Sequence, residues 1–214
     1  MSLRVKTPKG TKLAVETVRR RLRSNDRKQQ IIQTALDTIA EYGVQGTTVT
    51  RIADAIGVTH SALYAHFTNR QEILLAALDA IFEEIYEIHA ASKRDDAVER
   101  LREIMRHHTT SLTASDKPSY ALPLFEFIAA SSDAVLGEAL KKKEAEATRQ
   151  IAAIIDEAIH QGSVKQSVDS EQVAWMLVAC AWAEDTAYLL EIKVFQEETL
   201  AWRMADLILA SIVA

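Results

Sequence analysis

The chain has 214 residues, of which 48% are hydrophobic, enough for one substantial core or for one core plus a small module. It has 6 Gly and 3 Pro, too few for the many turns of an all-β fold, so the composition favours helices. The formal net charge is −5, and the single cysteine, Cys180, excludes an internal disulfide framework and a zinc site built on several thiolates. A lone thiol is typical of a reducing compartment, and we expect a soluble cytoplasmic protein.

The N-terminal segment is basic and irregular. Residues 1–26 contain scattered Lys and Arg, including the run VRRRLR at 18–23, and we predict a flexible arm that can be helical from about Lys12. Residues 27–42 place apolar side chains three and four positions apart, which predicts an amphipathic helix that ends at Gly43.

Two short helices are predicted next. Thr47 or Thr48 can cap the first of them, and Gly57 ends it. Thr59 then caps a third helix that runs through His66.

Six further helices are predicted in the rest of the chain, over about 71–91, 95–114, 119–130, 133–161, 170–192 and 196–212. The sequence has no alternating strand pattern and no internal repeat. We therefore predict an all-α fold, with an N-terminal three-helix domain over residues 27–74 and a six-helix bundle over residues 75–214. The most apolar run, residues 173–183, is too short to span a membrane, so no membrane partner is expected.

The charge is unevenly distributed along the chain. Residues 1–70 hold 12 Lys and Arg against 5 Asp and Glu, a balance of +7, whereas residues 71–214 hold 13 against 25, a balance of −12. Because the first third of the chain is basic and the rest is acidic, we expect only the first third to bind a polyanion. The alternative is a solvated basic tail.

The stretch 49–67 meets the requirements of a helix-turn-helix. Ala53 supplies the small residue needed where the two helices cross, and Gly57 can take the left-handed conformation of the turn. The positions that fall inward are Ile52, Ile56, Val58 and Leu63. A helical hairpin without a role on DNA meets some of these requirements too.

The outward residues of this stretch are candidates for contact with double-stranded DNA. A recognition helix enters the major groove with its N-terminus first, so its first residues reach the base edges. The candidates for base contacts are Thr59, His60, Ser61, Ala62 and Ala65, and those for phosphate contacts are Thr48, Tyr64, His66 and Arg70. Two alternatives stay open: His66 packs between the first and third helices, and Tyr64 is a half-buried core ring.

The same stretch carries a diagnostic pattern: TTVTRIADAIGV at 47–58, LYAHF at 63–67, and the acidic Glu72 near the start of the fourth helix. Residues 34–78 therefore resemble the DNA-binding domain of TetR-family transcriptional regulators. Two positions depart from the usual family pattern. Ser61 stands where Gly is frequent, and Arg70 stands where Lys is usual, which keeps the positive charge for a phosphate.

For residues 75–214 the resemblance implies a helical ligand-binding and dimerisation domain, in which the last two helices of each subunit form a four-helix interface. These two helices carry more apolar side chains than one helix pair needs, namely Val173, Met176, Leu177, Cys180, Trp182, Leu200, Trp202, Met204 and Leu207. We expect a C2 homodimer that places two recognition helices on a pseudo-palindromic operator. The alternative is an ordinary monomer core.

The candidate walls of an effector pocket are Phe82, Ile85, His89, Ile104, His108, Leu124, Phe125, Ile128, Ile155, Met176 and Cys180. Each of them can instead be a core residue alone. Because most of these side chains are aliphatic or aromatic, they indicate a small apolar or aromatic effector. His107 and His108 can offer a polar contact, but neither has a partner at metal-ligand spacing, so neither a metal nor a cofactor is expected.

The sequence therefore predicts a dimeric, ligand-responsive transcriptional repressor, in which the effector shifts the fourth helix and changes the spacing of the recognition helices. A regulator without a small-molecule ligand, controlled by a protein partner, is the alternative, and so is an activator. An enzyme is not expected, because the sequence has no glycine-rich phosphate loop and no catalytic Cys and His at known spacing.

Overall fold

The computed structural model describes residues 9–113, 120–193 and 200–214, and within these ranges the chain is built from nine α-helices. They are α1 Lys9–Gly46, α2 Val49–Ile56, α3 His60–Tyr64, α4 Arg70–Ala91, α5 Ala97–Thr113, α6 Ala121–Ala129, α7 Ala134–His160, α8 Ser170–Leu189 and α9 Leu200–Ile212. The predicted all-α fold class is confirmed. The first residues of the arm and the predicted helix limits at residues 114, 119 and 196 lie outside the described ranges.

The chain divides into two compact units, Met1–Ala77 and Leu78–Ala214. The division falls three residues after the predicted domain boundary and lies inside α4, which begins in the first unit and continues into the second.

The first unit is organised by α1, which begins at Lys9, so helical structure runs across the predicted limit of the arm at residue 26. Gly43 interrupts α1 with φ 71° and ψ 169°, a conformation that glycine adopts without steric cost, close to where the helix was predicted to end. The aliphatic positions of the predicted amphipathic helix are buried, with Ile31, Leu36 and Ile39 almost fully enclosed, whereas Tyr42 at its end is exposed.

Aspartate side chains start three helices of the second unit. The Oδ1 atom of Asp133 accepts the N–H groups of Val135 and Leu136 at 3.0 Å each, and Asp169 accepts that of Gln172 at 3.0 Å. Asp96 caps α5 in the same way. These bonds satisfy N–H groups that have no partner inside the helix, which explains why the starts of α5, α7 and α8 could be predicted within two residues.

The core of the second unit forms where α8 packs against α5, α6, α7 and α9. Its most enclosed members are Leu101, Ile155, Ala158, Ala174 and Leu209. Among the described helices, none is both long and apolar enough to span a membrane.

Candidate nucleic-acid interface and buried cavity

Two threonines set the starts of the short helices α2 and α3. The Oγ1 atom of Thr48 accepts the N–H of Arg51 at 3.2 Å, and that of Thr59 accepts the N–H of Ala62 at 3.3 Å. Both caps match the prediction, with Thr48 rather than Thr47 in the first position. Thr47 is buried and donates its hydroxyl to the carbonyl of Gly43 at 2.8 Å.

The turn between α2 and α3 is built on Gly57, which has φ 75° and ψ 38°. Its N–H donates to the carbonyls of Ala53 at 2.9 Å and Asp54 at 3.1 Å, and the N–H of Val58 donates to Ala53 at 3.0 Å. This is the bonding pattern of a Schellman motif, which ends a helix through a left-handed residue. The predicted helix-turn-helix is therefore present, with Ile52, Ala53 and Leu63 fully buried and Ile56 and Val58 half-buried.

The third helix is shorter than predicted, because it ends at Tyr64 instead of His66. Most of the candidate DNA contacts are exposed around it: Thr48, Thr59, His60, Ser61, Ala62, Tyr64 and Ala65. The Tyr64 ring is 50% exposed, which argues against its alternative role in the core. His66 is half-buried, so for this residue the packing alternative remains open.

Arg70 has a different position from the one predicted for a phosphate contact. Its Nε atom donates to the carbonyl of Thr47 at 2.5 Å, and its Nη2 atom donates to that of Val44. The guanidinium thus holds the start of α4 to the connection between α1 and α2, and these two donors are not available to a phosphate. Arg51 is an exposed cation of α2 that was not among the predicted DNA contacts. Its guanidinium carbon lies 4.3 Å from the centre of the Tyr42 ring, and its Nη1 atom donates to the carbonyl of Gly46.

Glu72, part of the diagnostic pattern, has a structural role. Its Oε2 atom accepts the N–H of Thr68 at 2.5 Å and also the Thr68 hydroxyl, while the Asn69 side chain accepts the N–H of Glu72 at 2.9 Å. This reciprocal arrangement resembles a capping box and fixes the start of α4. The hydrogen bonds from Thr68 lower the pKa of Glu72.

The second unit contains a cavity of about 90 Å³ lined by α4, α5, α6, α7 and α8. Five of the predicted pocket residues lie in its wall: Ile85, His89, Ile104, His108 and Leu124. The other six predicted residues do not line this cavity. Ile155 and Cys180 belong to the packed core, Met176 is 44% exposed, the Phe82 ring packs against the Tyr86 ring, and Phe125 and Ile128 are half-buried outside the wall.

Polar side chains converge at the cavity. The Nε2 atom of His108 lies 3.2 Å from Oδ1 of Asp185 and 3.9 Å from Oε2 of Glu184, and both carboxylates are 4% exposed. The Nδ1 atom of His89 is 3.1 Å from Oε1 of Gln150. Glu144 on α7 also lines the wall.

These groups have shifted pKa values because they are buried close together. Burial raises the pKa of Glu144 to about 7, with a further contribution from the charge of Asp185. Burial also raises the pKa of Glu184. For His108, burial lowers the pKa, but the hydrogen bond to Asp185 and the charges of Asp185 and Glu184 outweigh it and raise the pKa overall. Burial lowers the pKa of His89, which favours its neutral form.

The outer face of α8 exposes large apolar side chains. Trp175, Met176, Trp182 and Tyr188 are all exposed, and the two tryptophan rings lie 6.4 Å apart in an edge-to-face arrangement. On α9, Leu207 is 72% exposed. By contrast, Val173, Leu177 and Cys180, which the sequence pattern assigned to the interface, face the core of their own chain.

Comparison with known proteins identifies the first unit. Residues 31–77 match the family model described as "Bacterial regulatory proteins, tetR family". Over these residues the chain resembles the DNA-binding domain of the TetR family.

Curated relatives match mainly in the same region. It is 36% identical to the regulator TtgR of Pseudomonas putida over 78 residues, which is 36% of this chain and 37% of TtgR. A longer match, 27% identical over 73% of this chain and 76% of the relative, is to the transcriptional repressor KstR2 of Rhodococcus jostii. The chain thus spans about a third of the length of TtgR.

Solved structures extend the likeness to the fold of the second unit. The SmeT–triclosan complex superposes with a TM-score of 0.76 at 23% identity, covering 87% of this chain and 91% of SmeT. A regulator from Saccharomonospora viridis in complex with choline superposes with a TM-score of 0.70 at 19% identity, covering 89% and 99%. At these identities the likeness is one of fold.

Sequence reasoning missed the acidic residues of the cavity. The helical pattern marks Glu144, Glu184 and Asp185 as ordinary polar positions, and only the packing of α5 and α7 against α8 encloses them. The available signal was the pair Glu184 and Asp185, which directly follows the most apolar run of the chain.

Proposed function

We propose that this chain is a homodimeric transcriptional repressor that binds a pseudo-palindromic operator through α3 and releases it when a small effector fills the cavity. The observation that carries the proposal is the row of exposed side chains on and around α3, held by two caps and a Schellman turn, within a TetR-family domain. The name of the relative KstR2, a transcriptional repressor, supports the direction of regulation.

On DNA, the first residues of α3 enter the major groove. His60 and Ser61 can hydrogen-bond to base edges, and the methyl groups of Ala62 and Ala65 can contact thymine. Tyr64 contacts the DNA phosphates, and so do the exposed N-terminal turns at Thr48 and Thr59. Residues 1–26 would follow the backbone or enter the minor groove.

The homodimer uses the exposed apolar face of α8 together with α9. Trp175 and Met176 on α8 and Leu207 on α9 are large apolar side chains exposed on the chain, which favours their burial against a second copy. We expect sedimentation equilibrium to give twice the monomer mass, and Met176→Glu to shift the equilibrium towards the monomer while Glu171→Gln, exposed on the same helix, does not.

The effector acts through α4. The first turns of this helix belong to the DNA-binding unit, and its later residues Ile85 and His89 line the cavity. A ligand that prefers one position of α4 needs to favour the released state by only about 1–3 kcal/mol, the usual range of allosteric coupling.

The test of this function is selection from a random duplex library with the full chain. We expect enrichment of a pseudo-palindrome whose half-sites lie about one helical turn apart or somewhat more, bound by two protomers. Failure to enrich any sequence would contradict the proposal. Enrichment of a single half-site would contradict the homodimer.

Two other regulators remain as second candidates. One has no small-molecule effector and responds to a protein partner, and the cavity with its polar groups argues against it. The other is an activator, which differs from a repressor by the position of the operator relative to the promoter. A reporter carrying the selected operator distinguishes the two directions of regulation.

A further inference from the structure

The wall of the cavity is mostly aliphatic. Six large aliphatic side chains and several smaller apolar ones line it, and Trp182 supplies an aromatic ring; the six are Ile85, Ile88, Ile104, Leu124, Ile151 and Leu177. Such a wall favours a small ligand with an apolar or aromatic body.

The charged groups at the cavity are predominantly acidic. Glu144 and Asp185 line it, and Glu184 approaches His108 from α8. His108 can balance one carboxylate, and His89 favours its neutral form. No lysine or arginine lies in the described wall, and the nearby Lys143 is paired with Asp79 at 2.5 Å. The enclosed groups therefore carry more negative than positive charge once the carboxyls ionise.

Two of these acids have carboxylate oxygens that accept no hydrogen bond among the described residues. The Oε2 atom of Glu184 is buried and accepts none, although it lies 3.9 Å from Nε2 of His108 and Thr109 hydrogen-bonds to the same carboxylate. The Glu144 carboxyl lines the cavity, and no hydrogen bond or salt bridge to it occurs among the described side chains. A buried acceptor without a donor destabilises the empty protein, and a ligand that brings a donor or a positive charge relieves this cost.

We propose that the cavity binds a small organic cation, with its apolar or aromatic body against the aliphatic wall and its ammonium group beside Glu144 and Asp185. The face of Trp182 can add a cation–π contact. This inference rests on the proposed function for its physiological meaning, since it specifies the charge of the effector. A carboxylate ligand would meet like charges in the cavity and is disfavoured.

The test is calorimetric titration of the full chain with three probes that share a phenylethyl body. They are phenethylammonium, the uncharged 2-phenylethanol and the anionic 3-phenylpropionate, all at a pH of about 8, above the pKa of about 7 of Glu144. We expect the ammonium probe to bind at least about 10-fold more tightly than the alcohol, and the carboxylate to bind most weakly. Equal affinities, a preference for the carboxylate, or no binding of any probe would overturn the inference.

Matched variants locate the charge effect. Glu144→Gln should weaken binding of the ammonium probe about 10-fold and leave the alcohol unchanged, whereas Glu138→Gln, on the exposed face of the same helix, should change neither. Asp185→Asn gives a second variant in the wall, on α8, and should weaken binding of the ammonium probe in the same way, with the exposed Glu171→Gln as its control. An equal loss for the alcohol and the ammonium probe would indicate that the variant damages packing and would contradict the role of the charge.

A separate readout distinguishes this inference from the proposed function. The same variants and probes are measured for release of fluorescent operator DNA by anisotropy. If the chain binds phenethylammonium but binds no DNA sequence selectively, the proposed repressor function is contradicted and the proposed cation site is not. A chain that binds its operator selectively but prefers 3-phenylpropionate would contradict the cation site alone.

Discussion

The two units place their polar side chains in opposite environments. On α3, His60, Ser61 and Tyr64 lie in solvent, where they cost the folded state nothing while no DNA is bound. In the second unit, Glu184 and Asp185 are buried beside a cavity. Substitutions on α3 should therefore change binding without changing stability, whereas substitutions of the buried acids should change stability together with binding.

The strongest effect should be on DNA affinity. The double substitution His60→Ala and Tyr64→Ala removes one proposed base contact and one proposed phosphate contact from α3, and it should weaken operator binding about 100-fold, or roughly 3 kcal/mol. Because both side chains are accessible to solvent, the free energy of unfolding should change by about 0.5 kcal/mol or less, as is usual for surface substitutions. The control is Asp37→Ala, an exposed change on α1. A similar loss of DNA affinity in Asp37→Ala would contradict the proposal that His60 and Tyr64 contact DNA. A large fall in the stability of the double variant would contradict it too.

The next effect is a pH dependence of stability in the second unit. The pKa of Glu144 is about 7 in the folded state, against 4.5 for an unperturbed glutamate, so the folded protein holds this proton more tightly than the unfolded chain. The stabilisation is fully present below pH 4.5 and is lost as the pH rises through about 7. It amounts to about 3 kcal/mol at most.

Urea unfolding at a pH of about 5 and of about 8, on either side of the pKa of Glu144, measures this contribution. Glu144→Gln should make the free energy of unfolding less dependent on pH over this range, whereas Glu138→Gln should leave the dependence as it is. The same dependence in Glu144→Gln and the parent chain would show that another group is responsible.

A smaller effect is expected at the turn between α6 and α7. A Cβ atom on Gly137 would lie 2.2 Å from the carbonyl oxygen of Ser131, so alanine forces the backbone apart. Gly137→Ala should destabilise the second unit by about 2 kcal/mol, within the range of overpacked sites. Chemical unfolding checks this, with Lys141→Ala, exposed on the same helix, as the control. An unchanged midpoint in Gly137→Ala would mean that this close approach does not exist.

The weakest effect should come from one glycine in each unit. Gly57 and Gly162 both have φ 75° with open space where a Cβ atom would stand, so alanine at either position costs only the left-handed backbone, about 1–2 kcal/mol. Asn, which tolerates this conformation, should recover part of the loss. Gly57→Ala should also weaken DNA binding, because it disturbs the turn that positions α3, whereas Gly162→Ala should not. Equal effects of the two alanine variants on DNA binding would contradict the proposal that only the turn at Gly57 positions the DNA-binding helix.

The elements of the first unit could be predicted because their signals are local. Thr48, Gly57 and Thr59 act on N–H and carbonyl groups within five residues of themselves, so the sequence alone contains the interaction. The contacts of Arg70 could not be predicted, because its partners, Val44 and Thr47, lie 26 and 23 residues away.

The cavity could be predicted only in part, because its wall comes from five helices. Helical periodicity shows that Ile85, Ile155 and Phe82 face inward, but it does not show which of them meets packed neighbours and which meets empty space. The partners of His108 are 76 and 77 residues away on α8, and no local pattern joins them. The flexible arm and the DNA contacts of α3 remain predictions.

Whether α3 reads a DNA sequence can be decided by the anisotropy of fluorescent DNA from upstream of the chain's own gene, measured against a scrambled duplex over a range of salt. We expect affinity at least about 1000-fold tighter for the upstream DNA, two protomers per duplex, and a steep decrease with salt for both duplexes. Equal affinity for the two duplexes at every salt concentration would mean that the basic first unit holds DNA only through its charge, and would contradict sequence recognition by α3.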